Sequence, residues 1–166
     1  YHKLLCVTDV AMNIAPDFDT KIDILKNAVE ACHKIGILNP KVAVIAAIET
    51  VNPKMEATVH AAMLQTMSRR NQLAGCIVDG PLAIDNAINK EAAEHKGIVS
   101  EVAGDSDILL VPNIEAGNIF YKTLSFLGGA TAAAVIMGAA VPIVLTSRSD
   151  SEESKMLSIA LAAAMD

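Results

Sequence analysis

The sequence has no tryptophan and only 3% aromatic residues, although 52% of its 166 residues are hydrophobic. A core without large aromatic rings must be built from Ala, Val, Ile, Leu and Met. Such small aliphatic side chains favour helices packed closely on a sheet over an all-β sandwich. The length is that of one domain, or of one domain with part of another.

Cysteine is also rare, and its pattern indicates a structural rather than a zinc-binding role. Cys6, Cys32 and Cys76 are widely spaced and include no C-x-x-C pair, which argues against a disulfide framework or a zinc site. Cys6 and Cys76 lie in apolar runs, where a buried thiol behaves as a small hydrophobic group. Because no disulfide pattern is present, we expect a reducing, cytoplasmic setting.

Positive charge is too sparse for a nucleic-acid-binding protein. The chain has 13 Lys and Arg against 19 Asp and Glu, which gives a net charge of −6. Binding to the phosphate backbone of a nucleic acid needs concentrated Lys and Arg. The longest uncharged stretch, residues 124–147, is rich in Ala and Gly, whereas a membrane-spanning helix needs about 20 strongly apolar residues. We therefore predict no nucleic-acid partner, no membrane segment and no signal peptide.

Several enzyme motifs are missing as well. The sequence contains no G-x-G-x-x-G, Walker A or G-x-S-x-G stretch, so classical dinucleotide, nucleoside-triphosphate and serine-hydrolase sites lack support. The four histidines are scattered, and none pairs at metal-ligand spacing. The aspartates that could form a divalent-cation site match no known cage: Asp79, Asp85, Asp105 and Asp107. We predict no metal site.

Short β-branched runs alternate with longer helical patterns along the chain. The predicted strands are residues 4–8, 42–48, 75–78, 108–111 and 142–146. The predicted helices are residues 20–35, 82–94, 118–138 and 151–164, with a further helix that begins at Asn52-Pro53 and runs through Met67. This alternation predicts an α/β protein with a mostly parallel sheet.

Ligands of parallel α/β sheets bind where strands end and loops begin. Polar clusters follow four predicted strands, at residues 8–16, 78–85, 111–122 and 145–151.

The last of these clusters is the most informative. Ser147 and Arg148 come directly after a strand, and Asp150 and Glu153 have the spacing of a capping box. Free N–H groups at a helix start, together with a guanidinium, make an anion site. The alternative is that Ser and Asp only cap the helix while Arg148 pairs with a surface acid.

Taken in order, these segments resemble the phosphate acetyltransferase/phosphate butyryltransferase family. The stretches that carry the resemblance cover nearly the whole chain: residues 8–16, 79–87, 110–122, 128–130 and 142–148. Residues 113–118 and 147–153 look more like the butyryltransferase branch. The resemblance implies transfer of an acyl group, butyryl by expectation, between coenzyme A and inorganic phosphate. It also implies a homodimer and a three-layer, mostly parallel lobe like that of isocitrate and isopropylmalate dehydrogenases.

The resemblance further implies roles for individual residues. Ser147 would hydrogen-bond at the reacting centre, and Arg148 would hold phosphate. Three residues that match a family motif at the cleft are expected to bind phosphate or coenzyme A: Asn118, Tyr121 and Lys122.

The general base is the point where this sequence departs from the acetyl enzymes. Those enzymes carry a candidate base six residues after the arginine, where this chain has Ser154. Asp150 and Glu153 are therefore the expected substitutes. No tightly bound cofactor is implied, since coenzyme A is a substrate.

The family also has an amino-terminal half that this sequence lacks. We therefore expect a fragment, with residues 1–140 as the middle α/β lobe and residues 141–166 as a strand and helix that return to an absent first domain. Two alternatives stand beside the acyltransferase. One is a metal-dependent dehydrogenase of the isocitrate/isopropylmalate type, whose fold these acyltransferases share. The other is a non-catalytic binding or dimerisation module that uses exposed apolar helices.

Overall fold

A computed structural model describes residues 1–141 and 143–165. Their strands are β1 (Cys6–Thr8), β2 (Lys41–Ile45), β3 (Ile77–Leu82), β4 (Ile108–Leu110), β5 (Val135–Ile136) and β6 (Ile143–Val144). Their helices are α1 (Phe18–Lys34), α2 (Glu56–Arg69), α3 (Ile84–Ile88), α4 (Lys90–His95), α5 (Ile114–Phe126) and α6 (Glu152–Ala164). Across these residues, we find no helix with the length and apolar character needed to cross a bilayer.

The main sheet has four strands in the order β1-β4-β2-β3, and each neighbouring pair is parallel. The predicted α/β class with a mostly parallel sheet is therefore confirmed. Strands β5 and β6 form a separate antiparallel pair. Because the four main strands run in one direction, the loops that follow them all emerge at the carboxyl end of the sheet.

Helices cover both faces of the sheet, and β4 shows why its sequence is apolar throughout. Ile108 and Leu110 pack with α1 and α2 in one cluster, whereas Leu109 packs with α3 and α4 in the other. Side chains alternate between the two faces of a strand, so a strand covered on both sides needs apolar residues at every position.

Two predicted helices have different bounds in the structure. The predicted helix 82–94 is divided into α3 and α4, because Asn89 is extended and its side chain accepts a hydrogen bond from the Ala92 N–H at the start of α4. The predicted helix 118–138 instead begins at Ile114, where Asn113 caps α5, and ends at Phe126. Gly129 follows with a φ of +65°, a left-handed conformation that ends helices.

Three further boundary predictions are wrong. Asn52-Pro53 does not begin α2, because the Asn52 side chain accepts from the Lys54 N–H in a turn that precedes the helix. The strand predicted at residues 75–78 extends to Leu82, so Asp79, Gly80 and Pro81 lie within β3 rather than after its end. Proline is tolerated there since β3 is an edge strand. The predicted strand 142–146 is reduced to β6, and Pro142 lies outside the described residues.

A buried Lys–His pair connects α1 to α2. Lys21 is 3% exposed and His60 is 9% exposed, and Lys21 Nζ lies 3.0 Å from His60 Nδ1. Burial lowers the pKa of His60 and nearby Lys21 lowers it further, against the opposing effect of Glu56 and Asp17. Burial likewise lowers the pKa of Lys21. The folded protein therefore favours the uncharged imidazole.

We expect this pair to make stability fall as the pH falls through the ordinary pKa of histidine, about 6.5. Because the folded pKa of His60 is lowered, its contribution is complete above that value and is lost below it. Denaturant midpoints of the full-length protein between about pH 7.5 and about pH 5.5 would measure the effect. His60→Gln should flatten the slope, whereas His95→Gln, at an exposed site, should not. Equal slopes for the two variants would contradict the prediction.

Candidate active site

Helix α5 meets the loop that precedes α6, and this contact brings four predicted site residues together. Tyr121 Oη donates to Asp150 Oδ1 at 2.6 Å, and Lys122 Nζ donates to Ser147 Oγ at 3.1 Å. Helix α5 starts just after β4, and Tyr121 and Lys122 lie about two turns along it. These four residues are the site cluster.

The loop itself is closed by Ser147 and Asp150. The Ser147 N–H donates to Asp150 Oδ2 at 2.6 Å, and the Asp150 N–H donates to the Ser147 carbonyl oxygen at 3.1 Å. The predicted capping box is wrong, because the cap of α6 is Ser151, whose Oγ accepts from the Ser154 N–H. Asp150 therefore bonds to the loop and to α5 instead of capping the helix.

The side chains of Arg148 and Glu153 take no part in these hydrogen bonds. Arg148 is exposed, and within residues 1–141 and 143–165 its guanidinium forms no ion pair or side-chain hydrogen bond. The alternative in which it pairs with a surface acid is therefore not observed. Glu153 lies in the first turn of α6, exposed to solvent, and makes no described contact with the site cluster.

Asn118 lies on α5 but faces a different loop. Its Nδ2 donates to the carbonyl oxygen of Val10 at 3.2 Å, in the segment that follows β1. That segment is ordered by Asp9, whose carboxylate accepts from the backbone of Ala11, Met12 and Asn13. Burial acts to raise the pKa of Asp9, but these hydrogen bonds outweigh it and keep the pKa below its usual value. Asp9 thus satisfies loop amides.

The charge state of Tyr121 follows from its surroundings. Burial, reinforced by the Asp150 carboxylate, raises the pKa of Tyr121 to about 12. The phenol is therefore protonated at neutral pH and acts as a donor. Lys122 Nζ also lies over two aromatic rings, 4.9 Å from the centre of Tyr121 and 5.7 Å from that of Phe126. Aromatic faces attract a cation and so help to hold the ammonium in place.

The four aspartates considered as a cation site do not come together. Asp79 accepts a hydrogen bond from Gln65, and Asp85 pairs with Lys96 at 3.0 Å. Asp105 and Asp107 precede β4, at the opposite end of the sheet, where lysines bind both of them. Nowhere in the described parts of the chain do three or more His, Cys, Asp or Glu side chains form a group that could hold a metal ion.

Two features of the site lay outside the predicted residues. Ser149 Oγ lies 3.0 Å from Ser147 Oγ, so a second hydroxyl accompanies the predicted one. Gly117 packs against the segment after β1, where an added Cβ would stand 2.7 Å from the Asp9 carbonyl oxygen. A glycine near the start of a helix, where it is intrinsically unfavourable, is the sequence signal for such a close approach.

Comparison with known proteins identifies the family. A family model described as "Phosphate acetyl/butaryl transferase" matches residues 2–163. The chain belongs to this family. Within the phosphate acetyl/butaryl transferase family, it is 55% identical over 163 residues to a phosphate butyryltransferase of Clostridium acetobutylicum, a match that covers 98% of this chain and 54% of that protein. It is 59% identical over 162 residues to a probable phosphate butyryltransferase of Bacillus subtilis, with the same two coverages.

Solved structures agree with this membership of the phosphate acetyl/butaryl transferase family. A branched-chain phosphotransacylase from Enterococcus faecalis V583 superposes with a TM-score of 0.88 at 44% identity, over 96% of this chain and 57% of that one. The chain spans 54% of the length of the two curated relatives above. All three proteins are named as acyltransferases, so the dehydrogenase alternative gains no support.

Proposed function

We propose that the full-length protein is a phosphate acyltransferase, which interconverts a short-chain acyl-CoA and inorganic phosphate with an acyl phosphate and free CoA. The observation that carries the proposal is the site cluster, in which two family-motif segments meet through the Tyr121–Asp150 and Lys122–Ser147 hydrogen bonds. Arg148, for which the described residues supply no ion-pair partner, lies in the same loop. Butyryl is the proposed acyl group, because the relatives from Clostridium acetobutylicum and Bacillus subtilis are named for it.

The proposed reaction needs no covalent acyl-enzyme. A phosphate oxygen attacks the thioester carbonyl, the carbon–sulfur bond breaks, and the phosphate proton passes to the departing CoA thiolate. In reverse, the CoA thiolate attacks the acyl-phosphate carbonyl, the carbon–oxygen bond breaks, and the thiol proton goes to phosphate. The protein therefore has to hold two anionic reactants in contact and to stabilise the oxyanion that forms on the carbonyl.

The residues of the site suit these tasks. Arg148 binds phosphate, because a guanidinium can present two parallel N–H groups to phosphate oxygens. Lys122 brings a second positive charge to the Ser147 hydroxyl, and that hydroxyl donates to the reacting centre. Asp150 and Glu153 are the candidate proton carriers. Asp150 belongs to the site cluster, where its carboxylate accepts from the Ser147 backbone N–H, whereas Glu153 makes no described contact with that cluster. Asn118, beside the segment after β1, is a further candidate for binding phosphate or CoA.

The same proposal covers the arrangement of domains and subunits. Residues 1–140 form a lobe of the isocitrate/isopropylmalate dehydrogenase type, and residues 141–166 pack against another part of the full-length protein. The supporting observation is a set of exposed apolar side chains in that tail: Val141, Ile143, Val144, Met156, Leu157 and Ile159. We propose a cytoplasmic homodimer without a tightly bound cofactor.

The direct test is release of free thiol from butyryl-CoA by the full-length protein. We expect release that depends on added phosphate, with equimolar formation of butyryl phosphate, and little release when phosphate is omitted. Acetyl-CoA, measured beside it, reports the acyl preference. A full-length protein that folds but releases no thiol from any short-chain acyl-CoA would refute the proposed function.

A further inference from the structure

Asp150 forms a bridge between α5 and the loop that carries Ser147 and Arg148. Its Oδ1 accepts from Tyr121 Oη at 2.6 Å, and its Oδ2 accepts from the Ser147 N–H at 2.6 Å. Both carboxylate oxygens are thus engaged, one by the helix and one by the loop. Hydrogen bonds to a charged acceptor are shorter and stronger than bonds between neutral groups.

The loop has few other anchors. Strand β6, which leads into it, is only two residues long, and Leu145, Arg148 and Ser149 are exposed. Besides the Tyr121–Asp150 bond, the described side-chain hydrogen bond that ties the loop to α5 is Lys122 to Ser147. Without the phenol, a single polar tie would remain between the helix and the loop.

The Tyr121 hydroxyl is committed to this bond. It is protonated at neutral pH, with a pKa raised to about 12 by burial and by Asp150, so its O–H donates a hydrogen bond to the carboxylate. To donate its hydroxyl to a substrate, Tyr121 would have to give up this bond.

We propose that Tyr121 is a positioning residue rather than a substrate-binding one: through Asp150 it fixes the turn that presents the Ser147 hydroxyl and the Arg148 guanidinium. This inference rests on the proposed acyl transfer between CoA and phosphate. It changes the role expected for Tyr121 from its family motif, which placed it among the substrate-binding residues. A shift of about 1 Å in a reacting group can lower a rate by about 100-fold, so loss of the phenol acts on turnover.

The test compares Tyr121→Phe, Asp150→Ala and the double variant in the full-length protein. We expect Tyr121→Phe to lower kcat by about 10- to 100-fold, the effect of losing a hydrogen bond to a charged group. The KM values for acyl-CoA and phosphate should stay within about twofold, because binding contacts are retained. The double variant should be little slower than Asp150→Ala alone, since Tyr121 acts through the Asp150 carboxylate and alanine leaves no acceptor for its hydroxyl. Thr123→Ala, at an exposed position of α5, is the matched control.

The kinetic outcomes decide between the two roles. A raised KM with unchanged kcat would make Tyr121 a substrate-binding residue and overturn the inference. Unchanged kcat and KM, or fully additive losses in the double variant, would overturn it as well.

A second readout does not depend on activity. In tyrosine-labelled protein followed by NMR, the Tyr121 phenol should titrate at lower pH in Asp150→Ala than in the wild type, because the carboxylate that raises its pKa is gone. An unchanged titration would refute the bridge itself. An inactive wild-type protein with the expected titration shift would instead locate the failure in the proposed function.

Discussion

Replacement of Arg148 by alanine is expected to lower kcat/KM for phosphate by about 100- to 1,000-fold, because it removes the paired N–H donors that bind phosphate, a loss of about 3 to 4 kcal/mol. Arg148 directly follows Ser147, and no described acid neutralises it. Its positive charge is therefore available to the phosphate. Initial rates of thiol release over a range of phosphate concentrations would measure the loss.

Two further variants show whether the effect of Arg148→Ala belongs to the site. Arg148→Lys keeps the charge but not the paired N–H groups, so its rate should fall between those of the wild type and alanine. Arg70→Ala removes an exposed arginine at the end of α2 and should leave the rate unchanged. An unaltered rate in Arg148→Ala would remove Arg148 from the phosphate site.

Gly117→Ala is expected to lower activity by about 100-fold, through displacement of α5. The added Cβ would stand 2.7 Å from the Asp9 carbonyl oxygen and 2.8 Å from Val111 Cγ2. Backbone and a packed side chain cannot both give way without moving the helix that carries Tyr121 and Lys122. Such overpacking also costs about 1 to 3 kcal/mol of stability, which outweighs the better helix propensity of alanine.

Activity and thermal unfolding of the full-length protein should be measured together for this variant. Ala116→Ser changes the exposed neighbour of Gly117 on the same helix and should leave both quantities near their wild-type values. Wild-type activity in Gly117→Ala would show that α5 does not need this close contact to hold the site cluster in place.

The sequence was most informative where one physical rule decides the outcome. Strand β4 was predicted as residues 108–111 from its unbroken apolar run, and the structure ends it one residue earlier, at Leu110. Burial on both faces requires that pattern, so neighbouring elements could not change the result. The order of the strands could not be predicted, because apolar runs carry no information about which strand lies next to which.

Helix boundaries were harder to predict because side chains with two possible partners decide them. Asp150 had the spacing of a capping residue, yet Ser151 caps α6 and Asp150 bonds to Tyr121. Asn52 was expected to cap a helix and instead closes a turn before it. The local sequence permits either bond for Asn52, whereas Tyr121, the partner of Asp150, lies 29 residues away. Only the three-dimensional neighbours settle the choice.

For the site, family-motif order grouped residues that local patterns could not connect. Tyr121 and Lys122 lie on one segment and Ser147 and Asp150 on another, and the structure brings these four into hydrogen-bond contact. Glu153, predicted with them, lies outside the cluster. Glu153 comes after the loop that holds Ser147 and Asp150, in the first turn of α6. Successive residues of a helix point to different sides of it.

Strand β1 pairs with β4, which lies about a hundred residues later in the chain. Cys6 pairs with Ile108, and within the described residues β4 is its one neighbour in the sheet. About a hundred residues must therefore be made before β1 can be paired, and closing so long a loop slows folding. The segment after β1, with Asp9 and Val10, supports Gly117 and Asn118 of α5. We therefore expect the earliest part of this chain to be synthesised to be among the last to take its place beside the site.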